Sequence, residues 1–173
     1  MPVASSRALP IAYVVLRILV VLNWVMGAVI LTVLVASTNE HWILAAFKLD
    51  PSLEADRLLT AVRAIAVLGI AVVPLNRAVL NRLVAIVETV RAGDPFVAAN
   101  ASRLQAIAWT LLALQLLGIA IGAIAESVST PEYPLHLDAG FSINGWLAVL
   151  LTFLLARVFA EGTHLREDLE GVV

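Results

Sequence analysis

The chain has 173 residues and a net charge of −2, and 61% of its residues are hydrophobic whereas only 14% are charged. Soluble domains usually carry about 25% charged residues, so this composition excludes an ordinary water-soluble globule and favours a chain surrounded by lipid. The slightly acidic balance excludes a basic nucleic-acid-binding domain, and we expect no direct contact with nucleic acid. The absence of cysteine excludes disulfides, thiolate catalysis, zinc–thiolate sites and iron–sulfur clusters.

Four apolar segments follow one another along the chain, at about residues 11–36, 58–75, 104–125 and 141–160. Each has the length, roughly 20 residues, that a helix needs to cross the hydrocarbon layer, and a helix satisfies its backbone hydrogen bonds internally. The first run is longer than the core of a signal peptide, about 7–15 residues, so we interpret it as a retained span. The pattern predicts an all-α, integral membrane four-helix bundle that forms a single transmembrane domain over residues 1–173.

The distribution of basic residues predicts the orientation, because arginine-rich short loops face the cytoplasm. Eight arginines lie on the side of both termini and of the loop between spans two and three; they are Arg7, Arg17, Arg77, Arg82, Arg91, Arg103, Arg157 and Arg166. The other side has Lys48, Arg57 and Arg63. We therefore expect both termini in the cytoplasm. Arg157 and similar arginines near span ends have two interpretations, an anchor that reaches the headgroups or a buried ion pair such as Arg157 with Glu161.

Two helices are predicted to extend beyond their spans into the cytoplasm. The second runs from about Pro51 to Ala92, because residues 76–91 have one polar and one apolar side and Pro74 bends a membrane helix without ending it. The fourth continues to about residue 170, and an apolar stripe on this extension is predicted to pack on the apolar side of residues 79–90. The stripe consists of Val158, Gly162, Leu165 and Leu169.

The sequence "GDP" at residues 93–95 predicts a tight turn between the second and third helices. Gly93 suits a left-handed cap at the end of a helix. Asp94 is expected to accept amide hydrogens at the start of the next helix, with Pro95 in its first turn.

Small and polar residues within the spans predict helix packing. Gly118 and Gly122 form a G-x-x-x-G, which allows close approach inside the protein or, alternatively, a homo-oligomer. Asn23 and Gln115 are costly in lipid, so we expect hydrogen bonds between helices; a ligand pathway is the alternative.

Catalytic and metal signatures are weak. Glu161 and His164 form an E-x-x-H, but a carboxylate-bridged metal site needs a second such pair. A weak candidate cluster on the external side consists of His41, Glu132, His136 and Asp138. No P-loop, dinucleotide fingerprint or nucleophile elbow occurs. We expect no enzyme activity, no cofactor and no metal.

Two segments, "GDPFVAANASRLQAIAW" and "LAVLLTFLLARVFAEGTHLREDLEGVV", resemble the signatures of the YoaS-like bacterial membrane proteins, a family with a domain of unknown function (2975). The resemblance covers nearly the whole chain and departs at Val172, where the family has threonine. It implies four spans in the bacterial inner membrane and no catalytic residues. It also implies a genetic neighbour, a small helix-turn-helix regulator.

Together these observations predict a non-enzymatic inner-membrane protein that acts as an interaction or regulatory module through its cytoplasmic helical stub. The alternative is a binder or carrier of a lipid or small apolar molecule between the spans. The candidate interaction surface, called the tip surface below, consists of Asp94, Phe96, Arg157, Glu161, Arg166, Glu167, Asp168 and Glu170. Its acidic residues are expected to meet a basic DNA-binding partner.

Overall fold

The structure, a computed structural model, describes residues 8–39, 53–130 and 141–170. These residues form four α-helices: α1 over Ala8–Ala36, α2 over Leu53–Arg91, α3 over Ala98–Val128 and α4 over Ile143–Glu170. The three described ranges contain no strand. The all-helical fold with four helices, predicted from the sequence, is confirmed.

All four helices are long and apolar enough to cross a membrane. The four candidate spans have 28, 36, 31 and 24 residues, and each contains a stretch of 18 residues with high mean hydropathy. Even the shortest of them reaches about 36 Å, more than the roughly 30 Å of the hydrocarbon core. These lengths and compositions are those of a multi-pass membrane protein.

Many large apolar side chains of these helices are exposed, and small side chains are prominent among the buried ones. Trp24, Leu150 and Leu154 are 55%, 60% and 60% exposed. In the described part of the chain, half of the buried apolar residues are alanines, namely Ala61, Ala66, Ala108, Ala125 and Ala156. Lipid is as apolar as leucine, so helices in it associate through close packing of small residues and expose branched side chains to the acyl chains.

The bounds of α2 agree with the predicted helix over about 51–92. The helix continues through Pro74, as expected for a proline in a membrane helix. The helical continuation of α4 to Glu170 is also present. Whether these ends enter the cytoplasm stays a prediction.

Contacts group the chain into two compact units. The first contains the described residues among 1–22, 76–112 and 144–173, and the second those among 23–75 and 113–143. The prediction of a single transmembrane domain concerns the folding of the whole chain and stays a prediction.

Within the second unit, α1 and α2 approach closely around two glycines. An added Cβ at Gly27 would lie 3.1 Å from Cγ1 of Val73, and one at Gly69 would lie 3.5 Å from Cδ1 of Ile30. At the same crossing, Nδ2 of Asn23 donates a hydrogen bond to the Val73 carbonyl at 3.1 Å. The hydrogen bond between helices that the sequence predicts for Asn23 is therefore present.

The carboxyl end of α1 is capped by an arginine of α2. Nε and a terminal nitrogen of Arg63 donate to the carbonyl of Ser37 at 3.0 and 2.6 Å, and Ser37 is fully buried. The last carbonyls of a helix lack helical partners and carry partial negative charge, so a guanidinium satisfies both needs. Arg63 is thus a structural cap rather than a free anchor.

The predicted polar contact of α3 also exists in the second unit. Nε2 of Gln115 donates to the carbonyl of Ser142, just before α4, at 3.2 Å. Gly118 and Gly122 lie farther along α3 and are half-buried. Their role in packing or in a homo-oligomer stays a prediction.

Candidate functional site

The site lies in the first unit, where the turn after α2 contacts the last part of α4. The end of α2 is a Schellman motif: the amide of Gly93 donates to the carbonyl of Val90, and that of Asp94 donates to Thr89, both at 3.1 Å. Gly93 has a φ of 87°, in the left-handed region that favours glycine. The predicted glycine cap is confirmed.

The start of α3 differs from the prediction. The helix begins at Ala98, so Asp94 does not cap it and Pro95 is not in its first turn. The side chain of Asp94 instead forms an ion pair with Arg166 of α4. A guanidinium offers Asp94 a charge-assisted partner that two neutral backbone amides do not. Pro95 remains in the extended part of the turn, where its carbonyl accepts a hydrogen bond from Asn100.

Phe96 attaches the turn to α4 by packing. Its ring lies where a side chain at position 162 would begin, since a Cβ added to Gly162 would be 3.0 Å from Cδ1 of Phe96. The ring also stacks at a tilt on Phe159, with centroids 5.3 Å apart and an angle of 35°. Gly162 therefore leaves room for Phe96, which explains a glycine inside a helix where it is otherwise unfavourable.

We call the turn at residues 92–97, together with the helix ends that contact it, the corner. Asn100 is the polar centre of the corner and is fully buried. Its Nδ2 donates to Oγ1 of Thr89 at 2.7 Å and to the carbonyl of Pro95 at 2.9 Å. Its Oδ1 accepts from Arg103 at 2.8 Å, so both ends of the amide have partners. A buried amide that is fully satisfied fixes the geometry around it. Asn100 thus joins the end of α2, the turn and the start of α3.

The face that α4 presents to the rest of the first unit differs from the predicted stripe. Val158 and Leu165 are 60% and 61% exposed, so their predicted packing on residues 79–90 is wrong. The buried positions are Ala156 and Thr163, each 7% exposed, and the Thr163 hydroxyl is satisfied by the Phe159 carbonyl. Gly162, a third member of the stripe, contacts Phe96 of the turn. The side chain of Leu169, the fourth member, lies outside the described residues.

An open groove of about 430 Å³ lies between the first half of α3 and α4. Small side chains form much of its wall, namely Ala98, Ala101, Ala156 and Ala160. Polar side chains also line it, among them Ser102, Gln105, Arg157 and His164. Deeper in the same unit the two helices touch, because Trp109 meets Phe153 edge to face with centroids 5.3 Å apart.

The structure brings together part of the predicted tip surface. Asp94, Phe96 and Arg166 meet at the corner, and the predicted structural residue Gly162 lies beneath Phe96. Arg157, Glu161 and Asp168 are exposed, and among the described residues Arg157 and Glu161 form no ion pair with each other. Glu167 and Glu170 belong to α4, but their side chains lie outside the described residues.

The weak metal candidates are not assembled by the described part of the chain, in which no three His, Cys, Asp or Glu residues are grouped as ligands. Glu161 and His164 are exposed and lie within the last ten residues of α4. The external candidates, His41, Glu132, His136 and Asp138, lie outside the described residues.

Sequence reasoning missed the roles of Asn100, Thr89 and Arg103, although a signal for them exists. The signal is an asparagine at the start of an apolar helix, just after a glycine–proline turn, with an arginine three residues later. Asparagine favours turns and caps because its side chain competes for backbone groups, and here it bonds the preceding turn.

The fold and corner define an all-helical, multi-pass membrane protein whose turn after α2 is fixed to the end of its last helix. The family described as "Protein of unknown function (DUF2975)" matches residues 52–173, and the chain belongs to this family. The match includes the turn, the buried Asn100 and the whole of α4. It bears on the domain family as a whole, so the narrower YoaS-like name stays a resemblance. No curated protein and no solved structure shows a significant match.

Proposed function

We propose that the protein is a non-enzymatic membrane protein that acts as an interaction or regulatory module through its tip surface. The observation that carries this function is the exposure of Leu165, at 61%, on a helix that the turn after α2 contacts at Gly162 and Arg166. An apolar side chain exposed among the charged residues of the tip surface offers a partner an apolar contact beside an electrostatic one.

The charge of the tip surface favours a basic partner. Residues 161–170 of α4 contain four carboxylates and one arginine. The arginine, Arg166, is engaged by Asp94, so it offsets little of this negative charge toward a partner. Complementary charge steers association and selects partners. A helix-turn-helix regulator, the neighbour that the family resemblance implies, has the basic surface that would fit.

The proposed location is the bacterial inner membrane, with both termini and the tip surface in the cytoplasm. The arginine bias supports this orientation, because Arg82, Arg91, Arg103 and Arg166 all belong to the first unit. Cytoplasmic flanks of membrane helices carry such an excess. A cytoplasmic tip surface would be accessible to a soluble regulator.

The test is site-specific photocrosslinking of the full chain in native membranes, with benzoylphenylalanine at position 165. We expect a cross-linked product with a basic, soluble protein, identified by mass spectrometry. The same probe at Leu154, equally exposed on α4 but within its apolar part, is the matched control and should react with lipid alone.

Charge reversal separates this function from nonspecific capture. Glu161→Lys with Asp168→Lys should remove the product, whereas Glu126→Lys, an exposed acidic residue of the second unit, should leave it unchanged. A product that survives the double reversal contradicts the proposed partner. A product that consists solely of a second copy of this chain contradicts it too and favours a homo-oligomer.

A second candidate function is binding of a lipid or small apolar molecule. It is supported by a groove of about 300 Å³ in the second unit. Its lining is apolar throughout and includes Val29, Val33, Ile65, Gly69 and Ile121. Gly69→Leu should fill it, because the new side chain would start 3.5 Å from Ile30. Loss of a co-purifying apolar molecule in this variant, measured by mass spectrometry, would support binding; unchanged content would exclude it.

A further inference from the structure

Two arginines from different helices gather on one tyrosine of the first unit. The guanidinium carbon of Arg17 lies 5.2 Å from the ring centroid of Tyr13, and that of Arg91 lies 5.3 Å from it. The two guanidinium groups cannot therefore be farther apart than the sum of these distances. Arg17 belongs to α1, whereas Arg91 is the last residue of α2.

The tyrosine hydroxyl orients one of the two cations. Nε and a terminal nitrogen of Arg17 donate to Oη of Tyr13 at 3.1 and 2.8 Å. A guanidinium has five N–H donors, so this contact leaves several of them available. Both arginines are exposed, which leaves those donors open to a ligand.

Among the described residues, neither Arg17 nor Arg91 forms an ion pair. Two acidic residues lie three positions from Arg91 in the sequence: Glu88, which is exposed on α2, and Asp94, whose carboxylate is paired with Arg166. Contact with a tyrosine face contributes attraction, but it does not remove the repulsion between two cations. An anion bound from outside the protein would remove that repulsion.

The surroundings show which anion fits. Val14 and Val21 lie one turn on either side of Arg17 along α1, and they are 55% and 62% exposed. Arg91 ends α2 and Arg17 lies in the N-terminal half of α1, so the cations are placed where the hydrocarbon layer gives way to headgroups, with the exposed valines available to acyl chains. A guanidinium can donate two parallel hydrogen bonds to two oxygens of one phosphate.

We propose that Tyr13, Arg17 and Arg91 form a binding site for the headgroup of an anionic phospholipid. The phosphate is held between the two guanidinium groups, and the acyl chains lie along Val14 and Val21. A net-negative headgroup is preferred over a zwitterionic one because the site carries two positive charges. This site is distinct from the tip surface and does not depend on its function.

The test is native mass spectrometry of the full chain in detergent, titrated with phosphatidylglycerol or with phosphatidylcholine of the same acyl chains. We expect the wild type to prefer phosphatidylglycerol. Arg17→Gln with Arg91→Gln should weaken its binding roughly 10- to 30-fold, because each surface arginine contributes attraction to anionic lipid. Tyr13→Phe should give a smaller loss, since the ring remains and only the hydroxyl acceptor is removed.

A control of equal charge separates a site from general electrostatics. Arg57→Gln with Arg157→Gln removes the same two charges from other exposed positions and should retain binding. Equal loss in both double variants overturns the site. If the first double variant fails to keep the wild-type circular dichroism spectrum, Arg17→Lys with Arg91→Lys replaces it, and binding as tight as in the wild type then contradicts paired recognition by guanidinium forks.

The source of the phosphate is tested by competition with glycerophosphoglycerol, the deacylated form of phosphatidylglycerol, which keeps the phosphodiester headgroup without acyl chains. We expect it to leave phosphatidylglycerol bound at equal concentration. Full displacement would overturn the lipid assignment in favour of a soluble anion.

Discussion

Asp94, in the turn between α2 and α3, forms an ion pair with Arg166, which is 72 residues away near the end of α4. The two side chains are 43% and 46% exposed, so water screens their attraction. The pair defines where the turn lies on α4, and the packing of Phe96 beside it supplies a second, apolar contact. The Asp94–Arg166 pair therefore marks the corner as a surface built from distant parts of the chain.

The Asp94–Arg166 pair should contribute little to stability. In a double-mutant cycle of Asp94→Asn and Arg166→Gln, we expect a coupling of about 0.2–1 kcal/mol, the range of exposed ion pairs. Thermal unfolding in detergent, repeated at high salt, measures the coupling and should show it decreasing. A coupling of several kcal/mol that salt leaves unchanged would contradict a solvent-exposed pair.

Asn100 should matter far more than its neighbours. Asn100→Ala removes the partner of Thr89, Pro95 and Arg103 at once, and we expect a loss of about 1–3 kcal/mol in the free energy of unfolding, the cost of buried polar groups left unpaired. Ser102→Ala, exposed on the same helix, is the control and should change stability by no more than about 0.5 kcal/mol. A loss for Asn100→Ala as small as the loss for Ser102→Ala would contradict a stabilising role of the buried network.

Gly162 should tolerate alanine but not leucine. Alanine gains about 1 kcal/mol of helix propensity and needs a small shift of the Phe96 ring, which is 43% exposed and can move. Leucine must displace the ring altogether, with an expected loss of about 1–3 kcal/mol. Urea unfolding of Phe96→Ala with Gly162→Leu is the control, because removal of the ring should restore part of that loss. If Phe96→Ala restores none of the lost stability, a clash with the Phe96 ring does not explain the effect of Gly162→Leu.

Leu165 should be replaceable without loss of stability. Because it is 61% exposed, Leu165→Lys should change the free energy of unfolding by less than about 0.5 kcal/mol. Thr163→Lys, two residues earlier at a position 7% exposed, should destabilise clearly. The reverse order of the two variants in thermal unfolding would restore the packing of Leu165 that the sequence predicts.

The sequence was sufficient for the helices because their signals are local. Apolar length predicts the four membrane-crossing helices, the glycine at position 93 predicts the end of α2, and Pro74 is tolerated because membrane helices adjust around proline. The bond of Asn23 across helices could be predicted, because an amide in lipid has few other ways to satisfy its polar atoms; Gln115 instead bonds to Ser142, just before α4.

The corner could not be predicted fully, because its contacts depend on which distant parts of the chain meet in the fold. Asp94 had two possible partners, the amides of α3 or a distant cation, and no local pattern distinguishes them. The sequence pattern predicts that the stripe with Val158 and Leu165 faces inwards, because apolar stripes are buried in soluble proteins. In a membrane protein small residues are buried instead, and Ala156 carries that signal.

The most direct test of the central claim, that the turn after α2 is fixed to the end of α4, is thiol cross-linking in native membranes. The chain has no cysteine, so Asp94→Cys with Arg166→Cys introduces the only two thiols. A short bifunctional thiol reagent should join them almost completely, whereas Asp94→Cys with Leu147→Cys, near the other end of α4, should stay unlinked. Equal yields from the two pairs, or no product from the Asp94–Arg166 pair, would contradict the account.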